Sequence, residues 1–377
     1  MPLSKQHKTN DGPLSGILVI DASQGIAGPH CGATLASYGA RVIKIEPPQG
    51  DWCRGVGKTY DTLTPYSIVY NRGKESMVLD LKEPKDLDIL YQLVSQADIF
   101  MESSRPGVAE KIGIDFETMK KKNASLIYLS VSGFGQKGPN ATRPCTDGAA
   151  QAYGGFANAN VGADGQSHKV DLPIIDITTG LYGFQSVAMA LFKRMKTGEA
   201  QYLDINLVTS TLELQKARLL EQHVEGGSDI KLNLPSGVYD CADAKIVMAL
   251  ATEAHYQKML TTLELDDLKE DPRYANFELR AKNADSIRKR METLFASKPA
   301  SHWEKILGGA GIIVNKLNTL DDVLNDPNAH EGGMLKKVQE EAVGEIYLPV
   351  LPLMEGNEMS APQKGQDGDA ILKEMVS

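Results

Sequence analysis

Cysteine is scarce here. The 377 residues hold four, Cys31, Cys53, Cys145 and Cys241, and no two form a C-x-x-C pair. Such scatter argues against a disulfide framework or a zinc cluster, and a reducing cytoplasm is the expected setting. No HExxH string and no P-loop occur. The histidines, His7, His30, His168, His223, His255, His302 and His330, form no ligand-spaced pair. The polar start, Met1 to Lys8, has no apolar core of the kind a signal peptide needs. No run reaches the roughly eighteen apolar residues of a membrane span. A formal net charge of −9 argues against a general nucleic-acid binder. It leaves room for a local basic patch facing an anionic ligand.

What is present is a rhythm. Ile17 to Ile20 reads as a buried strand, followed by a helix from about Pro29 to Tyr38 with Gly39 as its stop. Strands are expected at Arg41–Ile45, Met77–Leu79, Ile99–Met101 and Leu126–Val131. Helices are expected at Pro84–Ser95 and Phe116–Lys122. This βαβ alternation predicts a doubly wound parallel sheet. A long helix is expected after Asp176, to about Lys196, then a strand Tyr202–Ile205 and a helix from Leu207 to about His223. Glu225-Gly226-Gly227-Ser228 looks like a linker. From 229 to 325 the pattern is a strand, Lys245–Ala249, and three helices near 255–263, 285–296 and 301–307, a smaller α+β domain. The tail beyond 325 carries short strands such as Glu345–Leu348.

Asp176 is the residue whose setting is least ordinary. It follows Leu172-Pro173-Ile174-Ile175 and precedes Ile177-Thr178-Thr179-Gly180. An acid among isoleucines loses water on folding, which is costly unless hydrogen bonds or a cation compensate. One reading makes it an N-cap placed directly before the helix. The other makes it reactive. The two are compatible, because a helix N-terminus favours the ionised form and a partly dehydrated carboxylate attacks acyl carbon. Gly133-Phe134-Gly135-Gln136-Lys137-Gly138 is a literal G-x-G-x-x-G after a strand. Pro139 and Pro144 follow within six residues, so no helix can start there and the dinucleotide reading fails. Cys145 is the least bland thiol, though no histidine lies near it in sequence. His30 sits in the first turn of the first helix, where packing is the ordinary explanation.

Ordered blocks along nearly the whole chain carry a resemblance. They run from Leu14–Asp21 through Ile26-Ala27-Gly28-Pro29, Gly39–Pro48, Gly50-Asp51, Asn71–Lys74 and Leu79–Lys82. Arg105-Pro106-Gly107 with Lys111, Ser132–Gly135, Gln151 with Gly154-Gly155, Asp176–Gly180, Thr197-Gly198 with Gln201–Asp204, and Asp271–Tyr274 follow in order. The sequence resembles the family III CoA-transferases, the group that includes formyl-CoA and carnitine CoA-transferases and the 2-methylacyl-CoA racemases. The resemblance implies a large CoA-binding domain made by both chain ends (1–224 and 326–377), a small domain (229–325), and an interlocked-ring homodimer. It implies CoA exchange between an acyl-CoA and a free carboxylic acid, with Asp176 as nucleophile passing through an anhydride and then an aspartyl-CoA thioester. Such chemistry calls for no metal, nicotinamide or flavin, and for neither nucleic acid nor membrane as partner.

Position by position, the resemblance places Ile26 and Ala27 against CoA through their backbone. Leu79 to Lys82 border the adenine. Ser103, Ser104 and Arg105 lie along the nucleotide, with Arg105 and Lys111 opposite phosphates. Ser132, Gly133, Phe134 and Gly135 line the thioester end. Two departures sharpen the expectation. The racemases carry a histidine where Thr146 stands, so two-base proton exchange lacks a carrier unless His30 or His168 supplies it. The stretch Leu232–Val238 lacks the four-glycine loop of formyl-CoA transferases. A transferase is therefore expected ahead of a racemase, and either ahead of a non-catalytic subunit of a heteromer.

Overall fold

The computed structural model describes residue 3 and residues 12–162, 165–227, 233–354 and 359–376. Most of the polar N-terminus, Ser228 of the linker and the first residues of the 229–325 range lie outside these. The chain forms two compact units, residues 1–219 with 333–377, and residues 220–332.

In the larger unit six strands make one parallel sheet: β1 (Leu18–Asp21), β2 (Arg41–Glu46), β3 (Glu75–Val78), β4 (Ile99–Glu102), β5 (Ile127–Ser132) and β6 (Gln201–Asn206). Their spatial order is β3-β2-β1-β4-β5-β6. The period of two sends alternate side chains to opposite faces. Leu18, Ile20, Ile43, Ile45, Phe100 and Tyr128 join one core, under the helix Pro84–Gln96. Val19, Val42, Ile99, Met101, Ile127 and Leu129 join the other, under the first helix (Ala27–Ser37) and the long helix (Ile174–Thr197). The C-terminal helix Gly368–Val376 returns to this unit, burying Ile371 and pairing Glu374 with Arg41 at 2.9 Å.

The long helix is the one helix among the described residues that is long and apolar enough to cross a membrane. Part of its apolar surface is spent on the core, through Ile175, Gly180, Gly183, Val187 and Ala190. Gly180 is where it touches the first helix. A Cβ there would lie 2.7 Å from the Ala27 carbonyl oxygen and 2.8 Å from His30 Cδ2. Only glycine allows that approach, and the approach fixes the distance between the start of the first helix and Asp176.

The strand order reverses between β1 and β4, which leaves a crevice beyond their carboxyl ends. A buried charge network shapes its floor. Lys74 Nζ donates to Asp21 Oδ2 (2.8 Å), the Pro29 carbonyl (2.9 Å) and Asn71 Oδ1 (3.0 Å). Asp21 accepts from the Ser23 amide at 3.0 Å, and Lys44 pairs with Asp51 at 2.8 Å. Burial alone would raise the Asp21 pKa, but Lys74 and Lys44 hold it below the usual carboxylate range. Asp51 Oδ1 then takes the amides of Gly25 (2.9 Å) and Cys53 (3.0 Å). The loop after β1 is thereby frozen.

The smaller unit has a three-stranded antiparallel sheet, Gly237–Asp240, Lys245–Ala249 and Ile313–Lys316, over a core with Tyr239, Ile246, Met259, Phe295 and Trp303. At its centre Arg280 is fully buried, its guanidinium 3.9 Å from the Tyr256 ring centre and 2.7 Å from Glu253. Ladder bonding to Lys245–Ala249 recruits Gly237–Asp240 and Ile313–Lys316, two strands that local pattern does not announce. The helix expected over 207–223 is two helices, Leu207–Leu214 and Lys216–Glu225. The break falls at Gln215, whose side-chain amide donates to the Gly154 carbonyl.

Candidate active site

A cleft of about 660 Å³ opens at the carboxyl edge of the sheet, a size suited to a cofactor. The loop after β1 supplies Gln24, Ile26 and Ala27, and the loop after β4 supplies Ser103, Ser104 and Arg105. The two loops are tied by the Gln24 amide, which donates to Ser103 Oγ at 2.9 Å. The end of β5 and the glycine loop add Ser132 and Gly133. No helix starts in that loop: the next one is Asp147–Tyr153. Arg143, Pro144, Cys145, Thr146, Trp52 and Asp176 complete the wall.

Of the residues singled out by resemblance, Ile26, Ala27, Ser103, Ser104, Arg105, Ser132, Gly133 and Asp176 line the cleft. Leu79 is buried under the sheet edge, and Lys82 is exposed. Lys111 lies on the short helix Val108–Ile112. Phe134 turns to Tyr153, ring centres 5.0 Å apart, and Gly135 donates its amide to Ser132 Oγ at 3.0 Å. These five do not line the cleft.

Asp176 is not the cap directly before its helix. The helix begins at Ile174, Pro173 occupies the cap position and makes no side-chain bond, and Asp176 sits within the first turn. The capping carboxylate comes from Asp147, 28 positions upstream of Ile175. Its Oδ2 accepts from the amides of Ile175 (2.6 Å) and Asp176 (3.0 Å), groups a helix start otherwise leaves unpaired. Its Oδ1 accepts from Gln151 Nε2 at 2.6 Å. The cap is thus borrowed, and the Asp176 side chain is left to line the cleft.

Asp176 faces two spaces. It borders the large cleft and also an open surface hollow of about 260 Å³, lined among others by Val56, Tyr66, Gly148, Lys169, Asp171 and Leu172. Ile26, Thr146 and Asp176 are common to both. Among the described residues no cation pairs with the Asp176 carboxylate. Burial first, and the Asp147 charge second, push its pKa up to about 7. The expected anion-favouring effect of the helix start is outweighed by desolvation and a like charge. Tyr70 packs with Ile26, Tyr66 and Ile177 beside it. Burial, then Tyr66 and Asp176, push its phenol up to about 12, so it remains a neutral hydroxyl.

The other nucleophile and base candidates fall away. Cys145 lines the large cleft, but burial and then the Asp176 charge raise its thiol pKa, the reverse of an activated cysteine. His30 is packed edge-on to Tyr70 at 5.5 Å, and burial drives its pKa down to about 4. It borders neither space at Asp176, and nor does exposed His168.

The family model of CoA-transferase family III matches residues 14–368. The chain belongs to CoA-transferase family III. An acetyl-CoA:oxalate CoA-transferase from Acetobacter aceti is 31% identical over 380 residues, covering 97% of this chain and 96% of its own. A succinate–glutarate CoA-transferase from Agrobacterium fabrum is 29% identical, covering 96% of each. A crystal structure of a CAIB/BAIF family protein from Brucella suis superposes with a TM-score of 0.85 at 27% identity, covering 97% of this family III chain and 100% of the other. The mixed α/β fold with its large parallel sheet is therefore that of the family, and family membership implies CoA thioesters as substrates.

Sequence reasoning missed several wall residues. Asp147 gave no sign of capping a helix so far downstream. Arg143, which lies over the Phe134 ring at 5.7 Å and the Tyr153 ring at 5.9 Å, reads in sequence as a loop cation. Trp52 had a usable signal: it is one of two tryptophans and adjoins the Gly50-Asp51 block.

Proposed function

We propose that this protein moves CoA from an acyl-CoA donor to a free carboxylic acid, with Asp176 as the covalent nucleophile. The observation that carries this reading is the place of Asp176, a half-buried carboxylate without a cationic partner among the described residues, standing where the large cleft meets an open surface hollow. The cleft suits the CoA arm, with Arg105 and Arg143 as its cations toward phosphate.

In the proposed cycle a carboxylate oxygen of Asp176 attacks the thioester carbon. The C–S bond breaks, and CoA leaves as thiolate from a mixed anhydride. The thiolate attacks the aspartyl carbonyl, expelling the donor acid and leaving an aspartyl-CoA thioester. The acceptor carboxylate attacks that thioester and frees the thiolate again. The thiolate then takes the acceptor acyl group from the new anhydride and restores Asp176. Each step passes one acyl bond between neighbours, which is how covalent catalysis divides a difficult exchange. Racemisation finds no support, since among the described residues no histidine borders either space at Asp176 and Thr146 stands beside it.

The ionisation of Asp176 gives the reading a pH test. The anion is the reactive form, and its pKa is raised to about 7. The single-turnover burst of donor-acid release should therefore grow with pH and level off above about 7. Asp147→Asn removes the second cause of the shift, so the limb should move to lower pH. A burst independent of pH from 5 to 9, or a limb unmoved in Asp147→Asn, contradicts the assignment.

The interlocked homodimer belongs to the same proposal. Its support is the apolar surface of the long helix, where Leu181, Met189, Phe192 and Met195 are exposed. Sedimentation at twice the 40.9 kDa chain mass is the expected result, and a stable monomer ends that part of the reading.

A further inference from the structure

Gln151 lines neither space at Asp176, yet it is bonded to the carboxylate that starts the helix of Asp176. It sits on the helix Asp147–Tyr153, four residues beyond Asp147, where side chains on one helix face meet. It is fully buried, and both polar atoms of its amide are used. Nε2 donates to Asp147 Oδ1 (2.6 Å) and to the Val170 carbonyl (3.0 Å), and Oε1 accepts from the Val170 amide (2.8 Å). These partners admit one orientation of the side-chain amide. Turned over, its oxygen would face a carboxylate and a carbonyl, and its NH2 would face the Val170 N–H.

The cap position of the short helix belongs to Thr146, which makes no side-chain bond there. Asp147 turns instead to the long helix, where its Oδ2 accepts from the amides of Ile175 (2.6 Å) and Asp176 (3.0 Å). With one oxygen on two amides and the other on Gln151, the carboxylate plane is fixed. The body of the short helix is held separately. A Cβ on Gly154 would lie 2.5 Å from Thr211 Cγ2, and Gln215 bonds the Gly154 carbonyl. A change confined to the Gln151 side chain therefore releases Asp147 without displacing the helix under it. Asp147 also matters to the charge of Asp176: burial is the first cause that raises the Asp176 pKa, and the Asp147 charge is the second.

We propose that Gln151 is a positioning residue for CoA transfer: by holding Asp147 against the first turn of the long helix, it sets where the Asp176 carboxylate stands when it meets the thioester. This rests on the transferase reading with Asp176 as nucleophile. A misplacement of about 1 Å at a reacting group costs about a hundredfold in rate. The cleft walls after β1 and β4 are tied to each other through Gln24 and Ser103, and Gln151 is not part of them. Loss of Gln151 therefore acts on kcat and spares the KM for acyl-CoA. The groups facing Asp176 across its two spaces are Asp147, Cys145, Arg143, Lys169 and Asp171, with Tyr66 and Tyr70 packed beside it. Burial first raises both the Cys145 thiol and the Tyr70 phenol, and Lys169 pairs with Asp171 at an exposed site. Asp147 is the charge left to move the ionisation of Asp176.

The test compares the wild type, Gln151→Met, Asp147→Asn and the double variant, with whichever of acetyl-, succinyl- and benzoyl-CoA and whichever carboxylic acid the wild type uses fastest. Gln151→Met keeps the length of the side chain and removes all three bonds. Its kcat should fall about ten- to a hundredfold, with the KM for acyl-CoA within about threefold of wild type. The rising limb of the donor-acid burst should move to lower pH, because a released Asp147 no longer opposes the Asp176 charge. Gln151 acts through Asp147, so Gln151→Met should cost less than about threefold when Asp147→Asn is already present. Where Gln151→Met does not fold, Gln151→Glu decides. Its acid form still donates to Asp147, so the two carboxyls share one proton. The kcat of Gln151→Glu should then fall at alkaline pH, where the wild type is level. An unmoved limb or a loss carried by KM in Gln151→Met, losses that add in full in the double variant, or a Gln151→Glu profile identical to wild type from pH 5 to 9 overturns the role of Gln151 and leaves the transferase standing. A wild type that passes CoA to no acid from any donor overturns the transferase reading itself.

Discussion

Asp176→Ala is expected to lower CoA transfer by about four orders of magnitude or more, the scale of removing a covalent nucleophile. Asp176→Glu keeps the carboxylate but moves it by one methylene, and misplacement of that size costs about a hundredfold. Hydroxylamine added during turnover should convert the wild-type side chain to a hydroxamate at residue 176, and should leave Asp176→Ala unlabelled. Near-normal transfer in Asp176→Ala, or a label on another residue, defeats the assignment. Asp176→Asn adds a thermodynamic check. Folding holds the carboxyl pKa near 7, above the ordinary value of 3.8, so the native state keeps a proton that the unfolded chain gives up. The native state is therefore favoured below about pH 4, and that advantage drains away as pH rises through 7. Asparagine cannot ionise. The variant should melt above the wild type at pH 8, and the gap should close toward pH 4.

Lys74→Met is expected to destabilise the larger unit by about 3–5 kcal/mol, the cost of leaving a buried charge without its partner. Lys74 is fully buried and all three of its ammonium protons are used, on Asp21, Asn71 and the Pro29 carbonyl. Its loss strands Asp21 and frees the loop that carries Gln24 and Ile26 into the cleft. The melting temperature should fall by several degrees, and the KM for acyl-CoA should rise with it. The double change Asp21→Leu with Lys74→Met should recover much of the stability, because no charge is then orphaned. Should Lys74→Met melt within about one degree of the wild type, the network is not what holds that loop.

Much of the sheet was legible because most of its strands are built around short β-branched or apolar runs between turn residues. Arg41–Glu46 differs from its expected bounds by one residue at one end, and Ile127–Ser132 by one residue at each end. The exclusion of a helix after Gly133 rested on Pro139 and Pro144, whose ring geometry acts locally, and the structure has a loop there. What escaped is non-local. The first turn of the long helix begins two residues before Asp176 because Asp147 satisfies its amides from across the fold, and no window around Asp176 contains that fact. Gln151 was visible only as part of a resembling block. Its double grip on Val170 needs a chain reversal of 19 positions. Lys169 beside Asp171 reads in sequence as an ordinary solvated pair, and both side chains are mostly exposed. Asp176 stood out because an acid in an isoleucine-rich run loses water on folding, and burial does push its pKa up.

The helix Gly368–Val376 closes a core begun by Leu18, and Glu374 reaches back 333 positions to Arg41. A chain that leaves the ribosome from its N-terminus must therefore wait, with β2 and β3 partly uncovered, until synthesis has passed through every residue of the smaller unit. For the interlocked dimer proposed above, that delay is the interval in which one nascent copy would pass through the frame of the other, before the last turn of helix locks down.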